Sequence, residues 1–137
     1  MVDDTILAYM AGIIDGEGSI MINGSNHKQQ SVVSVANTSE LLIKWIVTHF
    51  GGHTNIEYSE NVNHKNRYWW RLYGYSMKPF LESILPYLVI KKPQAELMLE
   101  LFKILLPIGG RSHPTDEYWI ARDEFVDKMH QLNKRGR

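Results

Sequence analysis

The sequence predicts an α+β domain with helices on one face of a four-stranded antiparallel sheet and the opposite face left open. Three observations carry this. Hydrophobic periodicity switches along the chain in the order helix, hairpin, helix, hairpin, helices. From Lys65 to Tyr75 the residues alternate cleanly, with Arg67, Trp69, Arg71 and Tyr73 on one side and Tyr68, Trp70, Leu72 and Gly74 on the other. A chain of 137 residues, 44% of them hydrophobic, makes one domain (1–137) with a substantial core.

The elements follow in order. Residues 5–16 form a helix opened by Asp3, Asp4 or Thr5. Ser19 to Asn23 and Gln30 to Ala36 are the first hairpin, joined by a turn at 24–29. Ser39 is the expected N-cap of the second helix, whose apolar positions are Leu41, Leu42, Trp45, Ile46 and Phe50, and Gly51-Gly52 ends it. His53 to Glu60 and Lys65 to Tyr75 form the second hairpin around Asn61 to His64. Pro79 lies near the start of a short helix through Leu85, where proline is tolerated. Ile90 to Leu106 reads as an amphipathic helix, Pro107 to Thr115 as a loop. Asp116 to Leu132 is the last helix, with Trp119, Ile120, Phe125, Val126 and Met129 on its apolar face.

No helix covers the second sheet face, so its arginine, tryptophan, tyrosine, asparagine and glutamine side chains suit a large polar ligand. The formal net charge is zero, but charge is segregated. Residues 1–20 hold four acids and no base, whereas Lys65, Arg67 and Arg71 cluster without acids, as do Lys128, Lys134, Arg135 and Arg137. Segregation of this kind is compatible with phosphate binding despite the neutral sum. The absence of cysteine excludes disulfides and thiolate metal sites, leaving oxygen or imidazole as metal donors. The six histidines show no ligand-like clustering. No apolar run has membrane-spanning length, so the expectation is a soluble, intracellular protein with no membrane partner.

The most informative segment is Tyr9-Met-Ala-Gly-Ile-Ile-Asp-Gly-Glu-Gly18. Ala8, Gly12 and Gly16 recur every fourth residue and line one helix face, where a second backbone can approach closely. Glu17 follows between two glycines, at a helix end from which a carboxylate projects freely. Met10 to Gly18 closely resembles the signature of the LAGLIDADG homing endonucleases, matching its nine positions in order with conservative changes. Weaker echoes of that family occur at Lys91 to Leu101 and Trp119 to Asn133.

The resemblance implies an αββαββα fold whose sheet binds double-stranded DNA, a homodimer built on the signature helices, and a metal-dependent cut in both strands that leaves 3′ overhangs. An RNA-binding intron maturase of the same fold is the alternative. By resemblance Glu17 is a catalytic metal ligand, with the Gly16 carbonyl as a second oxygen. Mg²⁺ suits such a site, and Mn²⁺ or Ca²⁺ can substitute for binding. Glutamate here is one methylene longer than the usual aspartate. Lys91 is the candidate cation at the scissile phosphate, with Lys92 in competition, and Asn37 the candidate for ordering water. The position where a basic residue often follows Asn37 holds Leu41. Ala8, Ala11 and Gly12 are expected at the dimer contact, with Asp15 capping a helix of the partner.

Strand alternation then supplies the DNA face: Met21, Asn23 and Ser25, Gln30, Val32 and Ser34, and Arg67, Trp69, Arg71 and Tyr73. Arginine reads guanine and asparagine or glutamine reads adenine, so Arg67, Arg71, Asn23 and Gln30 are the candidate base readers. Lys28, Lys134, Arg135 and Arg137 are expected on phosphates. For 53–60 alternation leaves the outward face open, with Asn55 and Glu57 outward if Ile56 and Tyr58 are core.

Overall fold

The computed structural model describes residues 2–24, 30–104 and 115–134. Ser25, Lys28, Arg135 and Arg137 lie outside these residues, as does most of the loop expected at 107–115. The elements are α1 (Asp4–Glu17), β1 (Gly18–Asn23), β2 (Gln30–Asn37), α2 (Glu40–Phe50), β3 (His53–Glu57), β4 (Arg67–Tyr73), α3 (Met77–Ile84), α4 (Lys92–Ile104) and α5 (Asp116–Asn133). All four strands join one antiparallel sheet in the order β1-β2-β4-β3. The expected α+β architecture is therefore present. None of the described helices is long and apolar enough to cross a membrane.

Two helix starts follow from single side chains. The Asp3 carboxylate accepts from the Ile6 N–H and Ser39 Oγ accepts from the Leu42 N–H. Bonds from Thr5 and Ile6 hold the Asp3 carboxyl below its ordinary pKa. This contribution to stability is present at neutral pH and fades as pH falls through the lowered value.

The core lies between the helices and one sheet face, where Ile20, Ile22, Val33, Val35, Trp70 and Leu72 meet side chains from all five helices. Trp70 is fully buried, and its indole donates to the Gly51 carbonyl at 2.6 Å. Gly52 sits beside that ring at φ 101°, where a Cβ would come within 2.5 Å of the indole nitrogen. The turn after α2 therefore needs glycine for both conformation and space.

Several apolar assignments shift by one helical position. Leu41 is 78% exposed, because the inward stripe of α2 runs through Leu42, Ile43, Ile46, Val47 and Phe50. Ile120 is 61% exposed, since α5 turns Arg122, Val126 and Met129 inward. The strands of the second hairpin are shorter than expected, and α4 begins at Lys92 rather than Ile90, which is exposed together with Val89. Ile56 and Tyr58 are exposed, not core.

Asp15 binds the front of the molecule together. Its carboxylate accepts from three consecutive backbone N–H groups, Val89 at 2.9 Å, Ile90 at 3.0 Å and Lys91 at 2.8 Å, immediately before α4. Pro93 removes an N–H from the first turn of that helix, and an anion at its positive end is favourable. The expectation that Asp15 caps a partner's helix is thus corrected: it caps its own chain's, and its oxygens are already occupied.

Two stability outcomes follow. Asp15→Ala removes the acceptor of three N–H groups, two of them within reach of water, and is expected to cost about 1–2 kcal/mol in denaturant unfolding; a loss under about 0.5 kcal/mol would contradict this role. At Gly18 a Cβ would stand 2.8 Å from the Ile14 Cα and 2.9 Å from its Cδ1. Gly18→Ala should therefore lower stability by roughly 1–3 kcal/mol, as overpacking does, and an unchanged melting temperature would refute that crowding.

Candidate nucleic-acid interface and cleavage site

The end of α1 runs straight into β1, so Glu17 is the last helical residue and Gly18 the first of the strand. Glu17 is exposed, and its Oε2 accepts from the Asn37 side-chain amide at 2.7 Å. The other end of that amide accepts from the Ser39 N–H at 2.7 Å. Asn37 thereby bridges the cap of α2 and the candidate ligand, holding one carboxylate oxygen and, among the described residues, leaving the other without a hydrogen bond. The resemblance implies a water-ordering role for Asn37, and an amide with one bond at each end retains a second N–H and a second oxygen lone pair.

A cavity of about 560 Å³ opens beside this acid. It is lined by Gly16, Glu17, Gly18, Ser19 and Met21 from the α1–β1 junction, Ile90, Lys91 and Gln94 from the start of α4, and Leu132, Asn133 and Lys134 from the end of α5. Glu17 is the one carboxylate among these lining residues. Lys91 Nζ donates to the Asp15 carbonyl at 3.2 Å, which ties its side chain to the acid-bearing helix end. Lys91 rather than Lys92 lines the cavity. Among the described residues no group of three or more His, Cys, Asp or Glu side chains is placed to hold a metal. The oxygens at hand are one carboxylate, the Ser19 hydroxyl, the Gln94 and Asn133 amide oxygens and backbone carbonyls, a hard donor set that fits Mg²⁺ or Ca²⁺ when phosphate, water or a second chain adds the rest.

The outer sheet face continues from this cavity. Register places Ser19, Met21 and Asn23 of β1 in line with Ser34, Val32 and Gln30 of β2, and the latter strand beside Arg71 and Tyr73 of β4. Asn23, Gln30 and Arg67 are exposed, while Met21, Trp69, Arg71 and Tyr73 are half-buried. Val32 and Ser34 are corrected. They belong to this face, but at 1% and 4% exposure they lie beneath larger neighbours on the flanking strands and form its floor.

On β4 the guanidinium carbons of Arg71 and Arg67 stand 4.3 Å and 5.7 Å from the Trp69 ring centre. Arg71 Nη1 also donates to Asn55 Oδ1 at 2.6 Å. Asn55 pairs with Trp69 across the sheet, which settles the ambiguity of β3: Asn55 and Glu57 share the outer series with Arg67 and Trp69. Stacking and one side-chain bond restrict Arg71 in advance of any ligand.

On α1, Ala8, Gly12 and Gly16 are exposed, and a Cβ built on either glycine meets nothing within 4 Å. Ala11 differs. It is fully buried in its own core, so its expected place at a dimer contact is corrected. The sequence pattern left Asn55 as an open alternative and gave no role to Ser19, Gln94 or Asn133. Alternation marks Ser19 and Asn55, and Gln94 stands inside the Lys91–Ala95 pattern, but the meeting of Gln94 with Asn133 spans 39 residues and has no local signal.

No protein-family model and no curated protein sequence matches this chain. Solved structures do. The homing endonuclease I-CvuI, in complex with its target in the presence of calcium, superposes with a TM-score of 0.73 at 22% identity, covering 96% of this chain and 83% of that one. The archaeal intron-encoded homing endonuclease I-Vdi141I, complexed with DNA, gives 0.76 at 18% identity, covering 98% and 87%. The LAGLIDADG homing endonuclease I-GzeII, in complex with a DNA target, gives 0.71 at 18% identity, covering 98% of this chain and 47% of that one. With the signature segment in α1 and the sheet order described above, the chain has the fold of the LAGLIDADG homing endonucleases.

Proposed function

We propose that two copies of this chain form a site-specific, metal-dependent DNA endonuclease that cuts both strands of a long pseudo-palindromic duplex and leaves 3′ overhangs. One observation carries this reading: the Glu17 carboxylate and Lys91 line one cavity at the end of an open, arginine-bearing sheet face. Hydrolysis of a phosphodiester needs charge stabilisation, an activated water and help for the leaving oxygen. A divalent cation held by Glu17 and the Gly16 carbonyl would supply these when bound. Lys91 contributes a fixed positive charge for the phosphate, and a preset charge costs no reorganisation during reaction. Asn37 keeps the Glu17 carboxylate turned to one side.

The second copy follows from arithmetic and shape. The cavity has one carboxylate per chain, and two strands need two. The exposed Ala8–Gly12–Gly16 face of α1 offers open space above its glycines, which suits a close approach of the same helix from a partner. On the sheet, Arg67, Arg71, Asn23 and Gln30 are the base readers, with Arg71 ordered by Trp69 and Asn55. Lys134 meets a backbone phosphate. The calcium and DNA in the I-CvuI and I-Vdi141I complexes support the ligand classes.

Glu17→Gln is expected to abolish cleavage in Mg²⁺ while target binding stays within about tenfold, or roughly 1.4 kcal/mol. Normal cutting by that variant would remove the proposed metal site, and binding of intron RNA without DNA cleavage would favour a maturase. Gly12→Leu should leave the chain folded, since leucine is better than glycine in a helix by up to about 1 kcal/mol. The same change should weaken self-association at least about tenfold in sedimentation, again near 1.4 kcal/mol. An undisturbed dimer would exclude α1 as the contact.

A further inference from the structure

Gln94 and Asn133 have no part in the reading above, yet the buried Gln94 and the exposed Asn133 form a polar link in the lining of the same cavity. The Gln94 side chain, in the first turn of α4, leaves that residue only 8% exposed. Its Nε2 donates to the Leu132 carbonyl at 3.3 Å and to Asn133 Oδ1 at 3.4 Å, both at the end of α5. Asn133 Nδ2 in turn donates to the Ile20 carbonyl of β1 at 2.9 Å. Two amides thus tie together α4, α5 and β1, three of the four elements that line the cavity around Glu17.

The link is expensive as a stabilising device. Gln94 Oε1 is buried with no hydrogen-bond partner among the described residues, and an unpaired buried carbonyl opposes folding. An apolar side chain of similar length would bury no such group. What the amide contributes is location: it fixes where α5 ends. The next residue, Lys134, leaves the helix in an extended conformation, its N–H donating to the His130 and Gln131 carbonyls, and it lines the cavity with Lys91 and Glu17.

We propose that Gln94, together with Asn133, is a positioning residue for Lys134, holding its ammonium at a DNA backbone phosphate next to the one at Glu17. This rests on the DNA-binding reading above. A lysine on a long flexible stem gains little from charge alone unless the backbone that carries it is fixed. The amide pair supplies that anchor without touching the ligand.

The test is the salt dependence of binding to a long mixed-sequence DNA duplex, measured without divalent metal. Each phosphate contact contributes about 0.9 to the slope of log K against log[salt]. Two copies on one duplex make two such contacts, so Gln94→Met should reduce the slope by about 1.8, as Lys134→Ala should, with a melting temperature at or above that of the unaltered protein. In the Lys134→Ala background, Gln94→Met should change nothing further. Asn133→Leu breaks the link from the other side and should reproduce the reduced slope, which keeps the test valid if Gln94→Met fails to fold. A wild-type slope in a folded Gln94 or Asn133 variant overturns the proposal, as does a further drop in the Lys134→Ala background. If the unaltered protein binds no duplex at any salt concentration, the nuclease reading fails and takes this one with it; normal binding and cutting with unchanged slopes sinks this one alone.

Discussion

The geometry of the front of the molecule depends on one carboxylate. Asp15 reaches backbone N–H groups 74 to 76 residues further along the chain and so joins the end of α1 directly to the entrance of α4. Three donors to one charged acceptor make a stiff joint, because each bond removes a rotation the others would permit. Glu17 lies two residues beyond this joint and Lys91 is its last donor. An acid and a cation that sequence separates by more than half the chain are therefore held against the same cavity. The Lys91 ammonium adds a bond to the Asp15 carbonyl, so even the flexible stem is partly ordered.

Around that joint α1 serves two surfaces at once. Met10, Ala11 and Ile14 point into the chain's own core, while Ala8, Gly12 and Gly16 present an almost side-chain-free strip outward. The sheet divides its labour in the same manner. One face is sealed by aliphatic residues and Trp70; the other has a floor of Val32 and Ser34 with longer polar and aromatic side chains rising on either side. The Arg67–Trp69–Arg71 stack shows how such a face is kept rigid while remaining charged. A rigid charged face loses less entropy when it meets a polyanion.

Much of this was legible in the sequence, and the failures have physical causes. Local signals succeeded: the Ser39 cap, the glycine pair after α2 and the alternation of 67–73 depend on neighbours within a few residues. The signature segment identified α1 and the acid at its end. What local pattern cannot see is rotation and distance. A helix with small residues on both sides does not declare which is buried, so Ala11 was assigned to the wrong side, and Leu41 and Ile120 were each off by one helical position. Alternation correctly gave the face of Val32 and Ser34 but not their depth, which larger residues on adjacent strands decide. Asp15 was recognised as a cap for a helix N-terminus, yet nothing near it in sequence says whose helix. The Gln94–Asn133 link was invisible for the same reason.

The claim at the centre is that each chain carries half of a cutting site, completed by symmetry. Incubation with a randomised duplex library and Mg²⁺, followed by sequencing of the cut ends, tests it most directly. The account predicts breaks in both strands at a fixed stagger, within a consensus that reads the same on either side of a two-fold centre. Intact DNA, single-strand nicks, or a consensus lacking two-fold symmetry would contradict it.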